Sequence, residues 1–146
     1  MSSTSSLLAI YTAIYDLLVG DVTLAALVGG VENIQNYEPQ EPPAKFIVLA
    51  NATEQQMNTL GGVEAGWGWD VTLTVHIYSY YSGDIEALGI LARVTTLLNK
   101  PEGITVAGYG TAICEYGDKL TKVLIETKAK QERRHIPAVF SIKVHE

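Results

Sequence analysis

The chain reads as an α+β fold, a mainly antiparallel mixed sheet with helices packed on one face, in the order α-α-β-β-β-α-β-β-β. Three patterns predict this. In the stretch from Trp67 to Tyr81, Trp67, Trp69, Val71, Leu73, Val75 and Ile77 fall on one face, and Asp70, Thr72, Thr74, His76, Tyr78 and Tyr80 on the other. A period of two in β-branched and aromatic residues marks a long strand with one buried face, here reaching roughly 50 Å at about 3.3 Å per residue. Before and after it, apolar residues recur at spacings of three and four, the signature of amphipathic helices. Finally, Ile136, Ala138, Phe140, Ile142 and Val144 alternate with polar neighbours in a closing strand.

At 146 residues the chain has the size of one ordinary domain, expected to span residues 1–146. The formal charge of −6 argues against generic binding to a nucleic acid backbone, which needs clustered Lys and Arg. No apolar run approaches the length of a membrane span. The start, Met1-Ser2-Ser3-Thr4-Ser5-Ser6, lacks the basic residues of a secretory leader, so a cytosolic product is expected. A single cysteine, Cys114, excludes an internal disulfide and a multi-cysteine zinc site.

In chain order, Ser5 or Ser6 caps a first helix that runs to Val19, with Leu7, Leu8, Ile10, Tyr11, Ile14, Leu17 and Leu18 as its apolar stripe. Gly20 closes it. Asp21 opens a second helix through Leu24, Leu27 and Val28, which ends at Gly29-Gly30. Val31 to Tyr37 reads as a short strand, and Glu38-Pro39-Gln40-Glu41-Pro42-Pro43 as a stiff connector. Lys45 to Thr53, apolar on both faces, has the character of a central strand. Glu54 to Gly68 is polar and rich in glycine, and reads as a long excursion before an antiparallel partner.

After the long strand, Gly83 is expected to cap a helix with Glu86 at its third position. The expected inward stripe is Ile85, Leu88, Leu91, Ala92, Thr95 and Leu98, ending before Pro101. Ile104 to Ala107 is a short strand. Thr111 to Tyr116 is another, interrupted at Gly117-Asp118 as by a bulge and resuming from Leu120 to Ile125. Glu126 to Gln131 reads as a charged turn before the last strand, His135 to Val144. Pro137 requires that strand to begin at an edge or to pair only beyond it.

No catalytic constellation emerges. His76, His135 and His145 have no histidine or carboxylate partner at helical metal-site spacing, and no phosphate-binding loop or nucleophile elbow is present. Cys114 reads as a buried inert thiol. Neither an enzymatic activity nor a cofactor is expected. Lys128, Lys130, Arg133 and Arg134 form a basic cluster, interleaved with Glu126 and Glu132, that reads as a solvated turn. Trp67, Trp69, Tyr78 and Tyr80 are of the types enriched at protein interfaces, or else they cover the second face of the sheet.

Several runs taken together carry a family likeness. They are Leu17-Leu18, Asp21, Leu24, Leu27-Val28-Gly29 and Ile34; Pro39-Gln40 and Pro43 to Leu49; Val71 to Ile77; Glu86-Ala87-Leu88 to Leu97-Leu98; Ile104 to Tyr109; and Arg134-His135 to Val144. In this order and spacing the chain resembles the tail terminator proteins of long-tailed bacteriophages, also described as tail completion or neck proteins. It departs from them at Thr127-Lys128-Ala129-Lys130-Gln131, where the family often has an Asp-Pro-Asp-Gly-like turn.

The resemblance implies a structural virion protein at the head-proximal end of the tail, assembled in the host cytoplasm. It implies a ring of about six copies that caps the tail tube, ends its polymerisation and joins it to the head-side connector. Partners implied are the tail tube protein, the connector or stopper protein and the tape measure protein. DNA would pass through the lumen without specific binding, and no membrane is involved. Another head–tail connector component or a tube-like virion protein is the alternative. Gln55, Met57, Leu60, Trp67, Trp69, Tyr78 and Tyr80 are the candidate contacts between subunits or with the tube.

Overall fold

The structure is a computed structural model, which describes residues 5–58, 67–116, 121–128 and 130–145. Helix α1 (Leu7–Val19) buries Ile10, Ile14 and Leu18, one residue per turn. Ser6 stands at its N-cap position without capping it through its side chain. Instead the Ser6 N–H and hydroxyl both donate, at 2.7 Å, to one carboxylate oxygen of Glu54, a residue of the sheet. The hydroxyl of Ser5 supplies an acceptor to the Leu7 N–H at 3.2 Å. The anion that suits the positive end of α1 thus comes from a distant strand.

Helix α2 (Val22–Val28) follows the sequence closely. The Asp21 carboxylate accepts the Leu24 N–H at 2.8 Å, and Gly29, at φ 85°, closes the last turn in the left-handed region. Asp21 also receives both a 2.8 Å and a 2.7 Å bond from Arg93, a two-pronged clamp between α2 and α3 (Ile85–Leu98). That guanidinium, with the Leu24 N–H, holds the Asp21 carboxyl down at about 2.

The strand expected over Val31 to Tyr37 is mostly absent. Val31–Asn33 forms a 3-10 turn, and β1 is limited to Ile34–Gln35. Asn33 explains this: its N–H donates to the Gly30 carbonyl and its side-chain amide to the Val28 carbonyl, local bonds that replace a ladder.

The sheet runs β1-β2-β3-β7-β5-β4, with β6 pairing β7 beside β5. The strands are β2 (Lys45–Asn58), β3 (Trp67–Ser79), β4 (Ile104–Val106), β5 (Gly110–Tyr116), β6 (Leu124–Lys128) and β7 (Gln131–His145). β1 lies parallel to β2, and all other pairs are antiparallel. The long strand is as the alternation requires: Val71, Leu73, Val75 and Ile77 are each at most 1 % exposed and face the helices. Strand β2 runs further than its composition indicated, since Glu54 to Asn58 pair with β3 (Glu54↔Val71, Asn58↔Trp67). A register shift between Ala50 and Thr53, with Asn51 at φ 59°, separates the apolar half of β2 from this polar half.

Two further expectations fail for physical reasons. The buried stripe of α3 is Ala87, Ile90, Val94, Leu97 and Leu98, whereas Ile85 is 82 % and Leu88 45 % exposed, and Ala92 is exposed too. Asp84 rather than Gly83 holds the N-cap position. Both stripes have helical spacing, and the one chosen turns Arg93 toward Asp21 while small Ala87 is buried in the core. The closing region also contains one more strand than expected. Tyr116 ends β5 and Leu124 begins β6, so these are separate strands, and Glu126 to Lys128 are strand rather than turn. The bulge expected at Gly117-Asp118 lies outside the described residues. Pro137 sits in a central strand, opposite His76 on β3, in the interval between the β6 partners (up to Leu124↔His135) and the β5 partners (from Tyr116↔Phe140). A residue without an N–H costs least where one side of the ladder is open.

No single described helix is long and apolar enough to cross a membrane. Leu18→Ala removes a fully buried side chain of α1 and is expected to lower the unfolding free energy by about 3 kcal/mol in urea titration. Asp21→Ala, which loses both cap and clamp, is expected to lower the thermal midpoint further than Asp21→Asn, which keeps an oxygen for Leu24.

Candidate functional site

The sheet face away from the helices is organised by charge and aromatic contact. Tyr78 on β3 stacks on Phe46 of β2 at 4.7 Å and on His135 of β7 at 4.4 Å, and the Arg133 guanidinium stands 4.3 Å from its ring centre. Arg133 donates to Glu126 at 3.0 Å and to Glu38 at 2.5 Å, and Lys128 donates to the other oxygen of Glu38 at 2.6 Å. The proline-rich connector is therefore pinned by Glu38 to the β6–β7 hairpin. Phe46, Val48 and Tyr78 form a small second core on this face.

Beside this core runs a chain of hydrogen bonds. Glu126 Oε2 lies 2.7 Å from His135 Nδ1, His135 Nε2 lies 2.8 Å from His76 Nδ1, and His76 Nε2 lies 3.3 Å from Asn51 Oδ1. Burial opposes the charge of Glu126, but the bonds from His135 and Arg133 outweigh it and hold its carboxyl below the usual range. Lys128 likewise lowers Glu38, against its partial burial, with Arg133 adding to the effect. Burial pushes His76 below the usual histidine range, and the neighbouring His135 pushes it the same way. Cys114 is pushed up to about 12 by burial, so its thiol is inert, as the sequence implied.

The basic cluster is not a solvated turn. Arg133 is 6 % exposed and doubly ion-paired, and Arg134 donates to Asp84 at 2.9 Å and to Glu132 at 2.7 Å. Its charges are largely spent on the fold. Of the residues expected at contacts, Gln55 is exposed and Tyr80 half-buried, while Trp69 and Tyr78 are each 9 % exposed. Trp69 lies on the helix side, and its indole N–H is buried with no partner among the described residues. The side chains of Met57 and Trp67, and all of Leu60, lie outside the described residues.

Sequence reasoning missed two apolar hollows. Tyr81, Ile85, Leu27, Lys45, Glu86 and Gly89 line one of about 420 Å³. Another of about 500 Å³ lies between α1 and the β1 region, with Leu8, Tyr11, Tyr15, Val31 and Tyr37 in its wall. Leu8 (78 %) and Ile85 (82 %) are exposed far beyond what a core role allows. Residues at helical spacing look alike whether they face a core or a partner, and exposure alone separates them. Beyond Val48, the outer edge of β2 also lacks a paired strand among the described residues. No group of three or more His, Cys, Asp or Glu among the described residues is arranged to hold a metal ion.

Exposed apolar residues and a long ribbon with one open edge among the described residues give a surface suited to contacts with other proteins. Comparison with family models is specific: residues 12–115 match the tail completion protein gp17 family. The chain belongs to that family, and is a structural component of phage-type tails. Among solved structures it matches a chain from the virion of a native gene transfer agent particle, with a TM-score of 0.74 and 18 % identity, covering 99 % of this chain and 100 % of that one. That likeness is one of fold. Comparison with curated sequences gives no match.

Acid should weaken this face in two stages. His76 titrates lower folded than unfolded, so its contribution is intact above about pH 6.5 and is lost as pH falls below that value. Glu38 and Glu126, also depressed, keep theirs until pH falls through the range below about 4.5. Urea midpoints against pH should show both stages, and His76→Gln should remove the first. Glu38→Ala, which takes one partner from buried Arg133, is expected to cost about 1–2 kcal/mol near neutral pH.

Proposed function

We propose that this protein is the tail terminator of its particle: a ring of about six copies that seats on the last ring of tube subunits, stops tube growth and presents its other face to the head-side connector or stopper. The family match over residues 12–115 carries the reading. The shape of the chain agrees with it. A head-to-tail ring needs two different complementary surfaces on one subunit. The hollow beside α1 and the hollow at the start of α3 are two such surfaces, each partly apolar.

In this reading the β2–β3 ribbon is the arm that meets the tube or the neighbouring subunit, with Gln55, Met57, Leu60, Trp67 and Trp69 as its contacts, and Tyr78 and Tyr80 at its base. The open outer edge of β2 offers backbone groups to an incoming strand. The tape measure protein meets the ring from the tube side, and DNA crosses the lumen without base-specific contacts. The low charge left free on Arg133 and Arg134 agrees with that passage.

The test is tube growth in the purified tube protein's own assembly reaction. Substoichiometric addition of this chain should arrest elongation and give tubes of limited length. A variant in which residues 59–66 are replaced by a short turn should remain folded by circular dichroism yet lose the arrest. Tubes that lengthen unchanged in the presence of the intact chain would overturn the proposal.

A further inference from the structure

The exposed face of α3 holds a residue whose identity the folded chain does not require. Gly89 lies in the middle of the helix, where glycine is the poorest residue after proline. A β-carbon built on it would meet no other heavy atom of the described residues within 4 Å. No close approach inside the chain therefore calls for glycine, and what it preserves is open space. That space belongs to the hollow at the start of α3, one turn beyond Ile85, with exposed Ile85 and Tyr81 in its wall.

The two hollows are complementary in charge. The wall beside α1 carries Glu32 and neither Lys nor Arg, and Glu32 makes no ion pair among the described residues. The wall at α3 carries Lys45. Its ammonium lies 3.9 Å from Glu86, while that carboxylate takes a 2.6 Å bond from the buried Ser79 hydroxyl. The lysine thus keeps hydrogens for a second acceptor. Leu8 and Tyr37, in the wall of the first hollow, are exposed apolar residues. The first hollow supplies a carboxylate and apolar side chains, the second an ammonium and the space above a glycine.

We infer that the hollow over Gly89 is the docking site for a second copy of this chain. Leu8 and Tyr37 of one copy seat over Gly89 of the next, and Glu32 of the first meets Lys45 of the second. The glycine lets the incoming side chains rest against the helix backbone, and any larger residue would hold them off. Two different patches meet, so the contact repeats from copy to copy instead of stopping at a dimer. The inference rests on the ring reading and names the pair of surfaces that closes the ring.

Sedimentation velocity of the intact chain from about 10 µM to about 1 mM tests this, with thermal unfolding followed in parallel. Gly89→Gln should raise the thermal midpoint of the dilute chain, because a better helix former meets no obstacle, yet weaken assembly at least about tenfold. Glu32→Lys and Lys45→Glu should each weaken assembly while remaining folded. Their equimolar mixture should restore it, since every contact in an alternating ring again pairs a lysine with a carboxylate. A wild type that stays monomeric, assembly that survives Gly89→Gln, or a mixture no better than its parts would overturn the inference. So would Gly89→Gln rings that form normally but no longer arrest tube growth, which would assign the hollow to another tail protein. The terminator reading fails separately: rescue by the mixture, together with tubes that lengthen unchanged, would sink that reading and leave this contact standing.

Discussion

Strand β3 is the constraint on which the structure depends. It is paired along its length by β2 on one side and β7 on the other, so its twofold alternation fixes what both neighbours must present. On the helix side, Val71, Leu73, Val75 and Ile77 leave no room for a polar group. A slip of one residue in either pairing would turn Thr72, Thr74 and His76 into that core. The helices then pack onto a surface already determined, tied by the Arg93–Asp21 clamp and the Glu54–Ser6 contact.

The same alternation places the polar residues of β3 on the far face, where they are not idle. Glu38 ties the connector to Arg133, which stands over the Tyr78 ring, and the histidine chain lies next to them. Buried charge costs a great deal unless paired, and here each positive side chain near Tyr78 meets a carboxylate. This local neutralisation explains how a chain with a formal charge of −6 keeps Arg133 inside. It also leaves the outward surface to the apolar hollows and the ribbon, the parts suited to binding other chains.

The path of the chain was largely legible because periodicity is local. Val71 to Ile77, Leu18 and Asp21 each announce their role within a few residues, and the family resemblance rests on the order of such segments. What escaped the sequence depends on register or exposure. His76 and His135 lie 59 residues apart and meet only because β3 and β7 pair as they do. Ile85 and Leu88 share helical spacing with a core stripe, and only their exposure in the folded chain shows that they face outward. Glu54 looked like loop because a polar residue in a strand is understood only when its partner, Ser6 at the start of α1, is known. Glu126 to Lys128 looked like turn for the same reason.

A tail terminator occupies one point of its particle, and imaging of that point tests the proposed role most directly. Cryo-electron microscopy of assembled tails, with this chain carrying a small density tag, should show the tag once per subunit in a ring of about six at the head-proximal end. Tags spaced along the whole tube would contradict the account, as would their confinement to the head-side connector in tails that lack a terminal ring.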